Sequence, residues 1–234
     1  MQDHRIVSKA EWLEARKQLL AQEKDFTHRR AQLSEARRAL PWERVTERYV
    51  FERARGKATL AELFDGKRQL VVYHFMFAPD AEAGCKSCSF WADGFDGITE
   101  HLAHRDVQLV AISRAPLAKL AAYRQRMGWK FEWVSSGGST FNDDLRVSFG
   151  PDELATGQIA YNYGTYPAYG PDMPGFSVFF RGDDDTVFHT YSCYSRGIDN
   201  VNPAYQILDL VPKGRDETES SPMSWLRRHD EYGA

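Results

Sequence analysis

Leu70-Val71-Val72-Tyr73-His74-Phe75-Met76-Phe77 has almost no polar alternation. Such runs belong to strands covered on both faces, so helices are expected above and below a sheet. The run leads through a short loop, Ala78 to Ala83, into Gly84-Cys85-Lys86-Ser87-Cys88-Ser89-Phe90-Trp91. A buried strand that delivers two cysteines, three apart, to the start of a helix is the arrangement a reversible dithiol needs.

The reason is electrostatic. The thiolate is the nucleophile, and a helix start offers unpaired N–H groups and a positive dipole end that favour it, with Lys86 as a nearby cation. Cys85 is therefore the expected attacking sulfur. One turn inward, Cys88 is placed to resolve a mixed disulfide by intramolecular exchange. Two other readings stay open at this point: inert structural cysteines, and half of a zinc site. Zinc takes four ligands, usually with a second cysteine pair or a histidine pair at short spacing. Only Cys193 remains as a thiol, and the closest pair, His101 and His104, sits on an expected helix with no other ligand spacing around it.

The 234 residues suffice for one well-packed domain with additions, and 6 Trp, 11 Tyr and 14 Phe within a hydrophobic content of 42% argue for a folded globule. A net charge of -3 is an ordinary solvated surface, and no basic excess suggests a nucleic-acid partner. The charged N-terminal stretch Met1-Gln2-Asp3-His4-Arg5 has no apolar leader region, and no stretch is apolar for the roughly 18 residues of a membrane span. A cytoplasmic protein without membrane association is expected. Three cysteines do not make a disulfide framework, and in that compartment the pair rests largely reduced.

Three regions are expected: an N-terminal amphipathic helix in residues 1–41, a main domain in 42–213 with an insertion at about 135–174, and a polar tail in 214–234. From Ser8 to Leu40 the chain is charged and helix-favouring, opened by a capping box of Ser8 and Glu11. Trp12, Leu19, Phe26, Leu33 and Leu40 recur every seven residues, while Ala15, Gln22, Arg29 and Ala36 occupy the alternate positions, so the stripe is narrow. Packing across its own subunit is the plain expectation, and docking on a second copy, giving a homodimer, is the sharper one.

In the main domain, Tyr49 to Phe51 and Lys57 to Leu60 read as a small hairpin. Trp91, Phe95, Ile98 and Leu102 fall at helical spacing after the cysteines, with Gly94 and Gly97 weakening the helix. Val107 to Ile112 is a second strand, Leu117 to Met127 a helix opened by Pro116 and closed by Gly128, and Phe131 to Val134 a third strand. This β, α, β, α, β order predicts a right-handed parallel core. Between Ser135 and Pro174 the pattern dissolves, apart from one helical turn at Pro151 to Leu154. The tyrosine-rich stretch Tyr161 to Tyr169 argues for order, as a lid, a groove wall or a self-packed extension. Phe176 to Phe180 and Thr186 to Tyr191 form a strong hairpin signal, followed by a helix or turn from Asn202 to Leu210.

Strand, Cys85-x-x-Cys88, helix, strand, helix, then Met173-Pro174-Gly175 leading into a hairpin resembles the thioredoxin superfamily. The phrases Tyr73-His74-Phe75-Met76-Phe77, Gly84-Cys85 to Trp91, Ser113 to Lys119 and Arg126-Met127-Gly128-Trp129 look more closely like the bacterial thioredoxin-like DUF899 family. The resemblance runs over nearly the whole chain. It implies an α/β fold, with a thioredoxin-like central mixed sheet flanked by helices, and leaves the substrate open. It places the attacking thiol on Cys85 and the resolving thiol on Cys88. Pro174 matches the cis-proline that lies against the dithiol and leaves backbone free to pair with a substrate chain. His74 stands where thioredoxins keep a buried acid, a departure that lets a neutral imidazole relay the Cys88 proton or serve only as a core residue.

Trp91, Gly175, Tyr163 and Tyr166 are the candidate substrate contacts, and Cys193 reads as a passive small residue. The implied function is a thiol-disulfide oxidoreductase that needs no cofactor, acting on a disulfide-containing substrate and restored by an external thiol reductant. A non-catalytic binding or scaffold protein on the same body is the alternative. A peroxidase fits less well, because the peroxiredoxin pattern Pro-x-x-x-Thr-x-x-Cys, counted from Pro79, meets Ala83 and Lys86.

Overall fold

The computed structural model describes residues 4–218, 220 and 222–233, and the chain divides into two units, 1–41 and 42–234. Of the charged N-terminal stretch and the polar tail, Met1 to Asp3, Glu219, Ser221 and Ala234 lie outside the described residues.

In the first unit, α1 (Lys9–Arg38) starts on the expected capping box: the Glu11 N–H donates to Ser8 Oγ at 3.3 Å, and the Ser8 N–H to Glu11 Oε2 at 3.0 Å. No residue of α1 is buried, and Trp12, Leu19, Phe26 and Leu33 are between 49% and 64% exposed.

The second unit is built on a mixed sheet of eight strands. These are β1 (Glu43–Arg44), β2 (Val50–Arg53), β3 (Gly56–Thr59), β4 (Gln69–His74), β5 (Val107–Ser113), β6 (Glu132–Ser135), β9 (Gly175–Arg181) and β10 (Val187–Tyr194), while β7 (Gln158–Tyr161) and β8 (Gly164–Pro167) form a separate hairpin. The order is β1-β10-β9-β4-β5-β6-β2-β3. β4, β5 and β6 are parallel, with Tyr73 beside Ala111 and Ala111 beside Trp133; β9 runs antiparallel to β4, with His74 beside Gly175.

Alternation along β4 decides which side chain meets which layer. Tyr73, and beyond the strand end Phe75 and Phe77, join Cys88, Trp91, Phe95, Tyr123 and Trp133 in one core cluster. Leu70 and Val72 join Phe51, Phe64, Ile112, Phe141 and Phe179 in the other. The first face is covered by α2 (Lys86–Ala92), α3 (Thr99–His104) and α4 (Leu117–Arg126). The second is covered by a 3-10 turn at Ala61–Phe64 and the short α5 (Phe141–Asp144) rather than by long helices. Each fully buried aromatic or leucine in these layers contributes ~1.5–3 kcal/mol of transfer free energy.

Three expectations change. The strand ends at His74 rather than Phe77. The helix after the cysteines stops at Ala92 and restarts at Thr99, with Gly97 between them at φ 85°, a conformation that favours glycine. The insertion is folded: α5, α6 (Pro151–Ala155) and the β7–β8 hairpin enclose a small core of Val147, Phe149, Ile159, Tyr161 and Tyr194. That hairpin turns on Asn162 and Tyr163, both at positive φ (49° and 60°), as a tight mirror-image turn requires. After α7 (Pro203–Leu208) the polar tail is tied down. Arg215 pairs with Asp209 at 2.8 Å and Asp199 at 3.0 Å, and Leu226 is buried.

Candidate active site

The cysteine loop is pinned before the helix begins. A Cβ on Gly84 would lie 2.8 Å from the Phe75 ring and 3.0 Å from that of Tyr123, so the loop passes where only glycine fits. The Cys85 N–H donates to Met76 O at 3.2 Å, and the Gly84 carbonyl accepts from Arg228 Nη2 at 2.8 Å. Cys85 caps α2: its carbonyl receives the Ser89 N–H at 3.0 Å and the Ser89 hydroxyl at 2.9 Å. Ser89 Oγ also lies 2.9 Å from the Tyr123 hydroxyl, which accepts from Arg228 Nε at 2.8 Å.

The two thiols are held in unlike electrostatic settings. A hydrogen bond from the Cys88 thiol pulls Cys85 down to about 5 from the ordinary value of 9.0, against the opposing effect of burial, with help from the Ser87 hydroxyl and the N–H groups of Cys88 and Ser87. The Cys85 sulfur lies 3.1 Å from Ser87 Oγ. The expected Lys86 cation is not among the leading causes. Burial pushes Cys88 well up. Its sulfur accepts the Met76 N–H at 3.4 Å, and its carbonyl accepts the Tyr73 hydroxyl at 3.3 Å. Cys85 is thus the ionised, partly exposed sulfur, and Cys88 the protonated, enclosed one.

Beside Cys88 is a cavity of about 640 Å³, which Cys85 itself does not line. The start of α2 contributes Ser87, Cys88 and Trp91 to its lining, the insertion Tyr161, Met173 and Pro174, and the tail Arg215, Glu217 and Met223. Trp91 is fixed there by donating from Nε1 to Ile198 O at 3.0 Å.

Pro174 stands in this lining as expected, but the Met173–Pro174 peptide is trans, which corrects the cis-proline expectation. The backbone around it is also occupied. The Tyr161 hydroxyl donates to Pro174 O at 2.6 Å and accepts the Ser195 N–H at 2.8 Å, and the Met173 N–H donates to Val147 O at 2.9 Å. Gly175 sits within the ladder between His74 and Tyr194, where a Cβ would meet the Tyr194 ring at 2.5 Å; it packs the sheet instead of touching the cavity.

His74 is buried but turns away from the cysteines. Its ring stacks near Phe141, at 5.8 Å between centroids, in the layer across the sheet, and its Nε2 lies 2.8 Å from Ser177 Oγ. Ser177 continues to Ser192 Oγ at 2.7 Å and then to His189 Nε2 at 2.7 Å. The expected position beneath Cys88 belongs to Tyr73. Tyr163 and Tyr166 likewise lie elsewhere, lining a second cavity of about 520 Å³ beside Cys193 at the end of β10. Of the tyrosines in Tyr161 to Tyr169, the one that lines the dithiol cavity is Tyr161. Period-two alternation counted back from Phe77 and Phe75 would have singled out Tyr73; nothing local in the sequence marks Tyr161 or Arg228.

With this geometry in place, residues 1–232 match the family described as "Bacterial protein of unknown function (DUF899)". The chain belongs to the DUF899 family. No curated protein matches the sequence. Among solved structures, this DUF899 chain is similar to peroxidoxin BcpB from Mycobacterium tuberculosis, with a TM-score of 0.46 and 15% identity, covering 69% of this chain and 93% of that one. It is also similar to peroxiredoxin Q of Xanthomonas campestris, with a TM-score of 0.49 and 9% identity, covering 70% and 93%. Among the described residues, no helix is long and apolar enough to cross a membrane, and no group of three or more His, Cys, Asp or Glu is placed to hold a metal ion.

Proposed function

We propose that this DUF899 protein is a thiol-disulfide oxidoreductase. The Cys85 thiolate attacks one sulfur of a substrate disulfide; a Cys85–substrate S–S bond forms, the substrate S–S bond breaks, and the first product leaves as a thiolate. Cys88 then loses its proton to that thiolate or to solvent and attacks the Cys85 sulfur, closing Cys85–Cys88 and releasing the second product thiolate. The substrate gains two electrons and the protein loses two. An external dithiol reverses the change, becoming a disulfide itself as the pair is reduced.

The observation that supports the reading best is the unequal pair: Cys85 is partly exposed at the start of α2 with its sulfur 3.1 Å from Ser87 Oγ, and Cys88 is buried with its sulfur accepting the Met76 N–H at 3.4 Å, so that Cys85 is held below the ordinary thiol value and Cys88 above it. Inert structural cysteines have no need of that asymmetry. Titration against dithiothreitol, read by mass after alkylation, tests it: the wild type is expected to interconvert between a Cys85–Cys88 disulfide and two thiols. Cys88→Ser should accumulate a mixed disulfide on Cys85, and Cys85→Ser should lose turnover of a model disulfide. A pair that never oxidises reversibly ends the proposal.

A further inference from the structure

We infer that the disulfide taken by this site belongs to a small molecule with an apolar, aromatic-sized body, and not to a polypeptide chain. The inference rests on the oxidoreductase reading above and names the substrate class of that same site. An extended polypeptide docks by pairing its backbone with free N–H and C=O groups beside the thiols. Here most of those groups are taken from within. The Pro174 carbonyl accepts the Tyr161 hydroxyl, the Met173 N–H is bound to Val147 O, and Gly175 is paired on both sides in the sheet. Tyr161 is held to this task, since burial keeps its phenol protonated and the Ser195 N–H fills its oxygen. The insertion therefore occupies the edge a substrate peptide would need.

What remains is a concavity lined by Cys88 and by Ser87, the residue between the two thiols that neighbours Cys85. Its volume of about 640 Å³ falls within the ~300–1,000 Å³ of small-molecule pockets. Trp91, Tyr161, Ile198 and Met223 give it apolar walls, and Ser87, whose hydroxyl lies 3.1 Å from the Cys85 sulfur, joins it to the nucleophile. Two cations line it: Arg215 is engaged by two carboxylates and lies over the Tyr205 ring at 3.9 Å, and Arg196 pairs with Asp199 at 3.7 Å, so neither offers an unpaired charge. The reaction is the exchange already written, with both halves of a low-molecular-weight disulfide leaving as thiolates and an external dithiol restoring the pair.

The test uses the full-length reduced protein in single turnover with three disulfides: 4,4′-dithiodipyridine as the aromatic probe, cystine as a polar probe of similar size, and insulin as the polypeptide. Each rate is divided by that of free dithiothreitol with the same disulfide, which removes intrinsic reactivity. The expected normalised rates place the aromatic probe at least 100-fold above insulin and at least 10-fold above cystine. Ile198→Trp, which fills the cavity, should lower the aromatic rate at least 10-fold. Tyr161→Phe, which uncaps the Pro174 carbonyl, should raise the insulin rate. Thermal melting of both variants confirms that they are folded. A reversible Cys85–Cys88 pair with insulin or cystine reduced as well as the aromatic probe overturns the inference and leaves the oxidoreductase reading standing. A pair that cannot be oxidised reversibly overturns both.

Discussion

Tyr73 and His74 are neighbours on β4 that point into opposite layers of the sheet: the Tyr73 hydroxyl reaches the Cys88 carbonyl at 3.3 Å, while the His74 imidazole reaches Ser177 at 2.8 Å on the far side. A change at either residue should therefore separate chemistry from stability. Tyr73→Phe removes one buried hydrogen bond and is expected to cost about 1 kcal/mol. It should also slow closure of the Cys85–Cys88 disulfide, seen as a longer-lived mixed disulfide on Cys85. His74→Gln should destabilise the fold by a similar order while leaving the alkylation rate of Cys85 unchanged.

The lowered Cys85 pKa sets a reactivity profile. Because the thiolate is the species present above about pH 5, alkylation by iodoacetamide should be nearly flat from pH 6 to 8 and fall as the pH drops through 5. Ser87→Ala and Cys88→Ala each remove a stabilising donor, so both should move the midpoint up toward the ordinary thiol value of 9.0. Cys88, raised by burial, should stay unmodified in the native protein over the same range.

Burial lowers His74 from 6.5 to about 3, so the native protein holds it neutral while the unfolded chain takes up a proton below pH 6.5. The unfolded state then binds more protons, and stability falls with the pH. The His74 contribution is ~1.4 kcal/mol lost for each pH unit between 6.5 and about 3. Denaturant unfolding of the wild type and His74→Gln at pH 7, 6, 5 and 4 should show a gap of about 1 kcal/mol at pH 7 that closes between pH 6 and 5 and reverses below, where the wild type becomes the less stable of the two. Parallel curves would refute the assignment.

Arg228 joins the tail to the nucleophile loop by donating to Gly84 O and to the Tyr123 hydroxyl, both at 2.8 Å. Arg228→Leu is expected to cost about 2 kcal/mol, as hydrogen bonds from a partly enclosed charged group are lost. Amide exchange at Cys85 and Lys86 should quicken in this variant, with little change in the distant β2–β3 hairpin.

Much of the fold was legible because its signals are local. The unbroken apolar run at Leu70, the Pro116 opening of α4, the Ser8–Glu11 box and the hairpin signal at Phe176 each act within a few residues. The cysteine pair was legible for the same reason: its spacing on one helix start is a local property. What stayed hidden depends on distant partners or on unusual turn residues. Tyr occupies a positive-φ position at 163, where asparagine or glycine would have announced the turn, so the β7–β8 hairpin looked like loop. Tyr161 and Arg228 matter through Pro174 and Gly84, and neither pairing leaves a trace in sequence spacing. His74 drew attention by its chemistry, when the two-residue alternation of its strand had already assigned it to the other layer.

The bond from Arg228 to Gly84 spans 144 positions. On the ribosome, the strands of the sheet and the cysteine helix are all synthesised well before Arg228 emerges. The nascent thiols therefore pass through a period in which their loop lacks its distant anchor, and the site is completed only after every strand of the sheet has been made. A thiol pair finished this late is most open to cellular oxidants while the protein is still being made.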